Sequence, residues 1–341
     1  MKRLIFIRSI AISALTVLLW TVAAAQDLHF SQFFNSPLTT NPANTGFIPD
    51  ADFRLGAHFR NQYSNLLGNP YRTLSIFGDA QIMRDKLENG WLGIGAVLLR
   101  DEAGSGTLAS TKIYGSIAYH QMLGYSSLLS AGFNIGWANK RIDPSKLKFP
   151  DQFNGKFFDV GVPTAVEFVN NNISYLDIQV GLNYAYFPTE NIYLNAGYSI
   201  HHVNRPEETF FDNPGGDQIP IRHIGFLNAI LKVSPNVIIN PNVYYTTQVR
   251  AQEFNIGMNA AYNLAEGGEK QLIAGLYYRV GDAIIPMVGL EYKNFRFMFS
   301  YDVTNSGLSS FNHSFGATEF NLIKKGFYNE ATPRTSLCPK F

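Results

Sequence analysis

Residues 174–187 read SYLDIQVGLNYAYF, with Leu176, Ile178, Val180, Leu182, Tyr184 and Tyr186 at every second position and Asp177, Gln179 and Asn183 between them. A period of two sends successive side chains to opposite faces of a strand, so the segment has one apolar face and one polar face. It is also longer than the roughly 9–11 residues that a tilted strand needs to cross a bilayer. Its neighbour NIYLNAGYSIHH (191–202) repeats the pattern, setting Ile192, Leu194, Ala196, Tyr198 and Ile200 against Asn195, Ser199 and His201.

Working outward, ADFRLGAHFRNQ (51–62) sets Phe53, Leu55, Ala57 and Phe59 against Arg54, His58 and Arg60. TLSIFGDAQI (73–82) sets Leu74, Ile76, Gly78, Ala80 and Ile82 against Ser75, Asp79 and Gln81, and TKIYGSIAYHQ sets Ile113, Ile117 and Tyr119 against Lys112, Ser116 and His120. The segment PIRHIGFLNAILKV (220–233) alternates less clearly. Eight further segments, the last being FNHSFGATEFNLI (311–323), bring the count to fourteen. An even count returns the end of the sheet to the side on which it began.

Connections give a second, independent signal. Those after even-numbered segments are short or compact (MRDKLEN, LGYSS, PTE, SPN, AEGGE), whereas those after the first, third, fifth and seventh are longer, the longest running from Arg141 to about Ile173. Short turns on one side and long loops on the other is the asymmetry of an outer-membrane barrel, the short side being periplasmic. Late in the chain the contrast fades, because RAQE and VGD are both short.

Composition agrees. Tyr 18, Phe 27 and Gly 29 accompany only 16% charged residues. Beyond the first 25 residues no stretch approaches the roughly 18 apolar residues of a membrane helix. Soluble sandwiches alternate too, but they have no need of fourteen long segments with so many outward aromatics. The expected fold is therefore all-β, an antiparallel transmembrane outer-membrane β-barrel of about fourteen strands.

Residues 1–25 have the parts of a cleaved signal peptide: Lys2, Arg3 and Arg8, an apolar stretch through Trp20, and small residues at Ala23 and Ala25. Cleavage after Ala25 is expected, with a retained membrane anchor as the rival reading. Of 27 basic and 26 acidic residues, removal of those three bases leaves 24 against 26, a formal charge of −2. That balance argues against a nucleic-acid partner. The single cysteine, Cys338, excludes an intramolecular disulfide. The chain then divides into a signal (1–25), a periplasmic leader or plug segment (26–51), the barrel (52–323) and a periplasmic tail (324–341).

The leader QDLHFSQFFNSPLTTNPANTGF (26–47) has neither strand nor helix period, and Pro37, Pro42 and Gly46 break regular structure. It resembles the opening of the PorP/SprF family of outer-membrane proteins, through Phe30, Ser31, Gln32 and Phe33, Pro37 and Leu38, Asn41, Pro42 and Ala43, and Gly46. Near the other end, GLYYRVGDAIIPMVGLEYKNFRFMFSYDVTNSGL resembles the family's paired strands through Gly275, Tyr278, Arg279, Asp282, Gly289, Tyr292, Phe295, Ser300, Tyr301 and Asp302. The ending SLCPKF is similar to the Cys-Pro-basic-aromatic end of many members. The resemblance implies a role beside the type IX secretion system. There the protein would support secretion or surface anchoring of large cargo with type B sorting domains, such as gliding adhesins, or contact the system's periplasmic components. A diffusion porin and a structural tether for the periplasmic motor are the alternatives.

No catalytic, cofactor or metal constellation stands out. Seven histidines are scattered, and His201 and His202 fall on opposite faces of a regular strand, which cannot chelate one ion. The serines of GSGT and GYSSL lack the strand-to-helix elbow of a hydrolase nucleophile. Charges at Arg54, Arg60, Asp79, Lys112, Asp177, Arg296 and Asp302 belong in the lumen, since they are costly against lipid; they fill it or line a pore. Asp282 beside Arg279 reads as a structural ion pair at a tight turn. Phe149, Phe153, Phe157 and Phe158 lie in the longest loop, where they form a protein-binding surface or fold inward and close the mouth. Phe30, Phe33 and Phe34 need a dry place, either the periplasmic mouth and lumen or a partner.

Overall fold

The structure, a computed structural model, describes residues 28–328 apart from 85, 105–106, 160, 212–216 and 266–269. The expected signal peptide and Cys338 lie outside the described residues. Fourteen strands form one closed antiparallel barrel. They are β1 (Phe53–Gln62), β2 (Tyr71–Ile82), β3 (Gly90–Ala103), β4 (Leu108–Met122), β5 (Ser127–Arg141), β6 (Asn172–Thr189) and β7 (Ile192–His201), followed by a second seven. These are β8 (Arg222–Ser234), β9 (Val237–Gln248), β10 (Ala251–Asn263), β11 (Lys270–Arg279), β12 (Ala283–Tyr292), β13 (Phe295–Thr304) and β14 (Phe315–Gly326). Each pairs with its neighbours in sequence, and β1 closes on β14 in a register from Phe53 opposite Gly326 to Gln62 opposite Ala317. Closure leaves no strand without a partner on either side.

The faces follow the alternation. In β6, Leu176, Leu182, Tyr184 and Tyr186 are exposed on the outer wall, and Asp177, Gln179 and Asn183 are buried inside. Two departures have local causes. The last strand starts at Phe315 rather than near Phe311, because Ser309–Asn312 forms one helical turn and His313 and Ser314 take φ of +52° and +63°. The blurred segment at 220–233 is β8, whose pairing with β9 slips between Lys232 and Ser234. Turns at 190–191, 235–236 and 293–294 mark one end of the barrel; loops 142–171 and 202–221 mark the other.

Candidate functional site

The leader does not sit below the barrel; it runs through it. Residues 30–48 are buried almost without a break. Leu28 begins near the long-loop end, where its carbonyl accepts from Arg222 Nη1 at 2.9 Å. From there the chain descends to the short-turn end and enters β1. Pro37 opens a single helical turn, Pro37–Thr40, and Pro42 opens a 3-10 turn, Pro42–Asn44, each at a first helical position where the missing N–H costs nothing. Asn41 joins the two turns: its Oδ1 accepts from the Ala43 N–H at 2.9 Å and its Nδ2 donates to the Leu182 carbonyl in the wall at 2.8 Å.

Inward-facing glycines make room for this passage. A Cβ on Gly93 would lie 1.9 Å from the Thr45 carbonyl oxygen, one on Gly132 2.3 Å from the Pro42 carbonyl carbon, and one on Gly181 1.9 Å from Asn41 Oδ1. Gly46, at φ +66°, is a position an L side chain would strain; its N–H donates to Asp79 Oδ2 at 2.8 Å and its carbonyl accepts from Trp91 Nε1 at 2.9 Å.

The leader's tip meets a cluster of charges buried at the long-loop half of the lumen. Ser31 Oγ donates to Asp302 Oδ1 at 2.8 Å and accepts from Arg60 Nη1 at 2.8 Å and from Arg279 Nη2. One hydroxyl thereby uses its donor and both lone pairs. The Ser31 and Gln32 N–H groups donate to the two Glu319 oxygens at 2.7 and 3.0 Å. Glu319 also pairs with Arg60, and with His58 Nε2 at 3.0 Å. Arg279 reaches Asp302 at 3.1 Å, Asp282 at 2.8 Å and Glu253 at 3.5 Å. Phe30 stacks on His58 (centroids 4.1 Å), Phe33 on Tyr244 (4.8 Å) and Phe34 on Tyr277 (5.4 Å).

Below Phe33 and Phe34, beside the leader, a cavity of about 300 Å³ opens toward the short-turn end. Amides line it: Asn228 donates to Asn242 Oδ1 at 2.8 Å, and Asn242 and Asn259 donate to the Tyr277 hydroxyl at 2.9 and 2.8 Å. Its rim charges are paired, Arg296 with Glu291 at 2.6 Å and Lys325 with Asp50 at 2.5 Å. Partial burial pushes the Asp50 carboxyl up, but Lys325 and Arg296 outweigh it and hold the group below the usual carboxylate range.

The structure brings Phe30 to Phe33 together with Arg279, Asp282 and Asp302, residues far apart in the chain (Ser31 is 248 positions from Arg279 and 271 from Asp302). Tyr278 and Tyr301 are not in this cluster: Tyr278 is exposed on the outer wall and Tyr301 packs edge-on against Phe315. Arg54, Arg60, Asp79, Lys112, Asp177, Arg296 and Asp302 all face inward. His202 corrects the expected geometry of the histidine pair. The strand ends at His201, and His202 at φ +58° turns back inside to Asp177 at 2.9 Å, so both rings are buried. Among the described residues, no three His, Cys, Asp or Glu side chains gather as a metal site. Glu319, Glu253, Gly93, Gly132 and Gly181 were not singled out from sequence. The alternation of β3, β5 and β6 places Gly93, Gly132 and Gly181 inward, and that was the available signal.

At the long-loop end, Phe153, Phe157 and Phe158 are exposed, Phe153 and Phe158 pairing across a β-bridge with centroids 5.1 Å apart. Phe149 is half-buried against Phe168, which in turn meets Phe211 of the neighbouring loop.

A family model described as "Type IX secretion system membrane protein PorP/SprF" matches residues 22–322. No curated protein matches the chain. Among solved structures, the barrel is similar to the Ralstonia pickettii toluene transporter TbuX, at 13% identity and a TM-score of 0.52 over 86% of this chain and 94% of that one. A deltaS2 mutant of the TodX monoaromatic hydrocarbon channel gives 12% and 0.52 over 86% and 94%, and the P. putida toluene transporter TodX gives 13% and 0.50 over 86% and 95%. At such identities the likeness is one of fold.

Proposed function

The chain belongs to the PorP/SprF family of type IX secretion system membrane proteins, and from that premise we propose that it supports secretion or surface anchoring of large cargo proteins at the outer membrane. The cargo would be proteins with type B C-terminal sorting domains, gliding adhesins among them, held by protein contact without covalent chemistry. The observation that carries this reading is the filled lumen. A leader buried from Phe30 to Ile48 and gripped by wall and cluster takes the space a solute path would need. Interaction then falls to the two ends. At the long-loop end the exposed Phe153, Phe157 and Phe158 offer an apolar surface of the kind that protein interfaces bury.

The test is genetic. Deletion is expected to leave a cargo adhesin unsecreted or shed into the medium, and a full-length copy carrying Phe153→Ser, Phe157→Ser and Phe158→Ser is expected to insert normally yet fail to restore display. Normal cargo display in the deletion strain would sink the proposal. A diffusion porin is the alternative, favoured only by the cavity at the short-turn end, and conductance separates the two.

A further inference from the structure

In a closed barrel one pair of strands differs from all the others. Every neighbouring pair but one is joined by a local connection, whereas β1 and β14 must find each other across the whole sheet, Phe53 opposite Gly326. Loop closure makes that pairing the costliest to form. The leader precedes β1 directly, and its tip is bonded to the three strands around this seam. On β1 it reaches His58, by stacking of Phe30 and by Ser36 Oγ against Nδ1 at 2.8 Å, and Arg60 through Ser31. On β14 it holds both oxygens of Glu319. On β13 it holds Asp302 through Ser31 and Ser300 through Gln32 Nε2 at 2.9 Å. Ser31, Gln32, His58, Ser300 and Glu319 are each 0% exposed.

We infer that Phe30–Gln32 is a ligand in cis for a recognition site built by β1, β13 and β14 with Arg279 of β11, and that its binding locks the seam at which the barrel closes. The chemistry of the site selects this peptide. Glu319 is an acceptor fork matched to two successive backbone N–H groups. Between Asp302 and two guanidiniums there is a place for one hydroxyl, which donates once and accepts twice. A flat ring fits on His58. The opposite wall holds the leader differently, through close approach at glycines and the Asn41 amide, and so supplies an internal control.

Hydrogen–deuterium exchange of the full-length protein in detergent tests the lock. Ser31→Ala with Gln32→Ala is expected to speed exchange in β1, β13 and β14 by on the order of 10-fold or more, with β4 to β6 unchanged. Asn41→Ala is expected to loosen β6 and β7 and spare the seam. An equal rise in all strands in the double variant, an equal seam response to Asn41→Ala, or no rise at all overturns the inference. Should the double variant not fold, Gln32→Ala and Ser300→Ala, separately and combined, decide by thermal midpoint. Coupled shifts support the lock and additive ones overturn it.

Discussion

At the scale of single residues, the buried charges carry the largest penalties. Glu319 accepts from two backbone N–H groups and pairs with Arg60 and His58. Glu319→Ala would leave Arg60 without a carboxylate partner on that side and strand both N–H groups in a dry site. Breaking a buried pair from one side costs about 3–5 kcal/mol, so the variant is expected to lose its heat-modifiable folded band at a clearly lower temperature. Arg100→Ala removes an exposed pair with Glu102, worth about 0–1 kcal/mol, and is expected to melt like wild type; equal shifts in the two variants would contradict the ranking. Asp50 makes a pH prediction. Its folded carboxyl lies below the usual range, so its stabilisation is present above about pH 4, the ordinary aspartate value, and is lost as pH falls through the folded value. Asp50→Asn is expected to flatten the acid limb of a thermal-midpoint profile, and an unchanged limb would show that the Lys325 pair contributes nothing.

At the scale of elements, strand and leader are matched by size. Gly132 faces the leader so closely that a Cβ would fall 2.3 Å from the Pro42 carbonyl carbon. Gly132→Val should displace Pro42–Asn44 and cost about 1–3 kcal/mol by overpacking, read as a lower melting midpoint. Gly225 sits in the wall with nothing within 4 Å of its added Cβ, and Gly225→Val is expected to be far milder; a reversal would mean that the leader is not seated in the glycine groove. The strands themselves were legible because a period of two with one charged face has few other homes in a chain this apolar. Thus Asp177 between Leu176 and Ile178 already implied an inside and an outside. Boundaries blurred where that period is interrupted, at the β8 slip near Lys232 and at the left-handed His313 and Ser314.

At the scale of the whole molecule, the sequence marked the leader's prolines and rings as an irregular element needing a dry place, but not the direction of its path. Nothing in QDLHFSQFF says that Ser31 meets Arg279 and Asp302, because that contact depends on fourteen strands first setting a lumen width. The cluster is a tertiary product of residues from β1, β10, β11, β13 and β14 around one hydroxyl. The same filling makes the last prediction. With the leader bonded from Leu28 to Gly46, the cavity of about 300 Å³ is lined at its inner end by Phe33 and Phe34. Purified full-length protein in planar bilayers is therefore expected to show little steady current. A variant lacking residues 28–46 is expected either to conduct or to lose stability, since both steric block and wall contacts go with it. Steady porin-like current from the intact chain would refute the closed lumen. Little current from both forms, at equal stability, would show that the leader is neither plug nor support and would leave docking of a partner as its role.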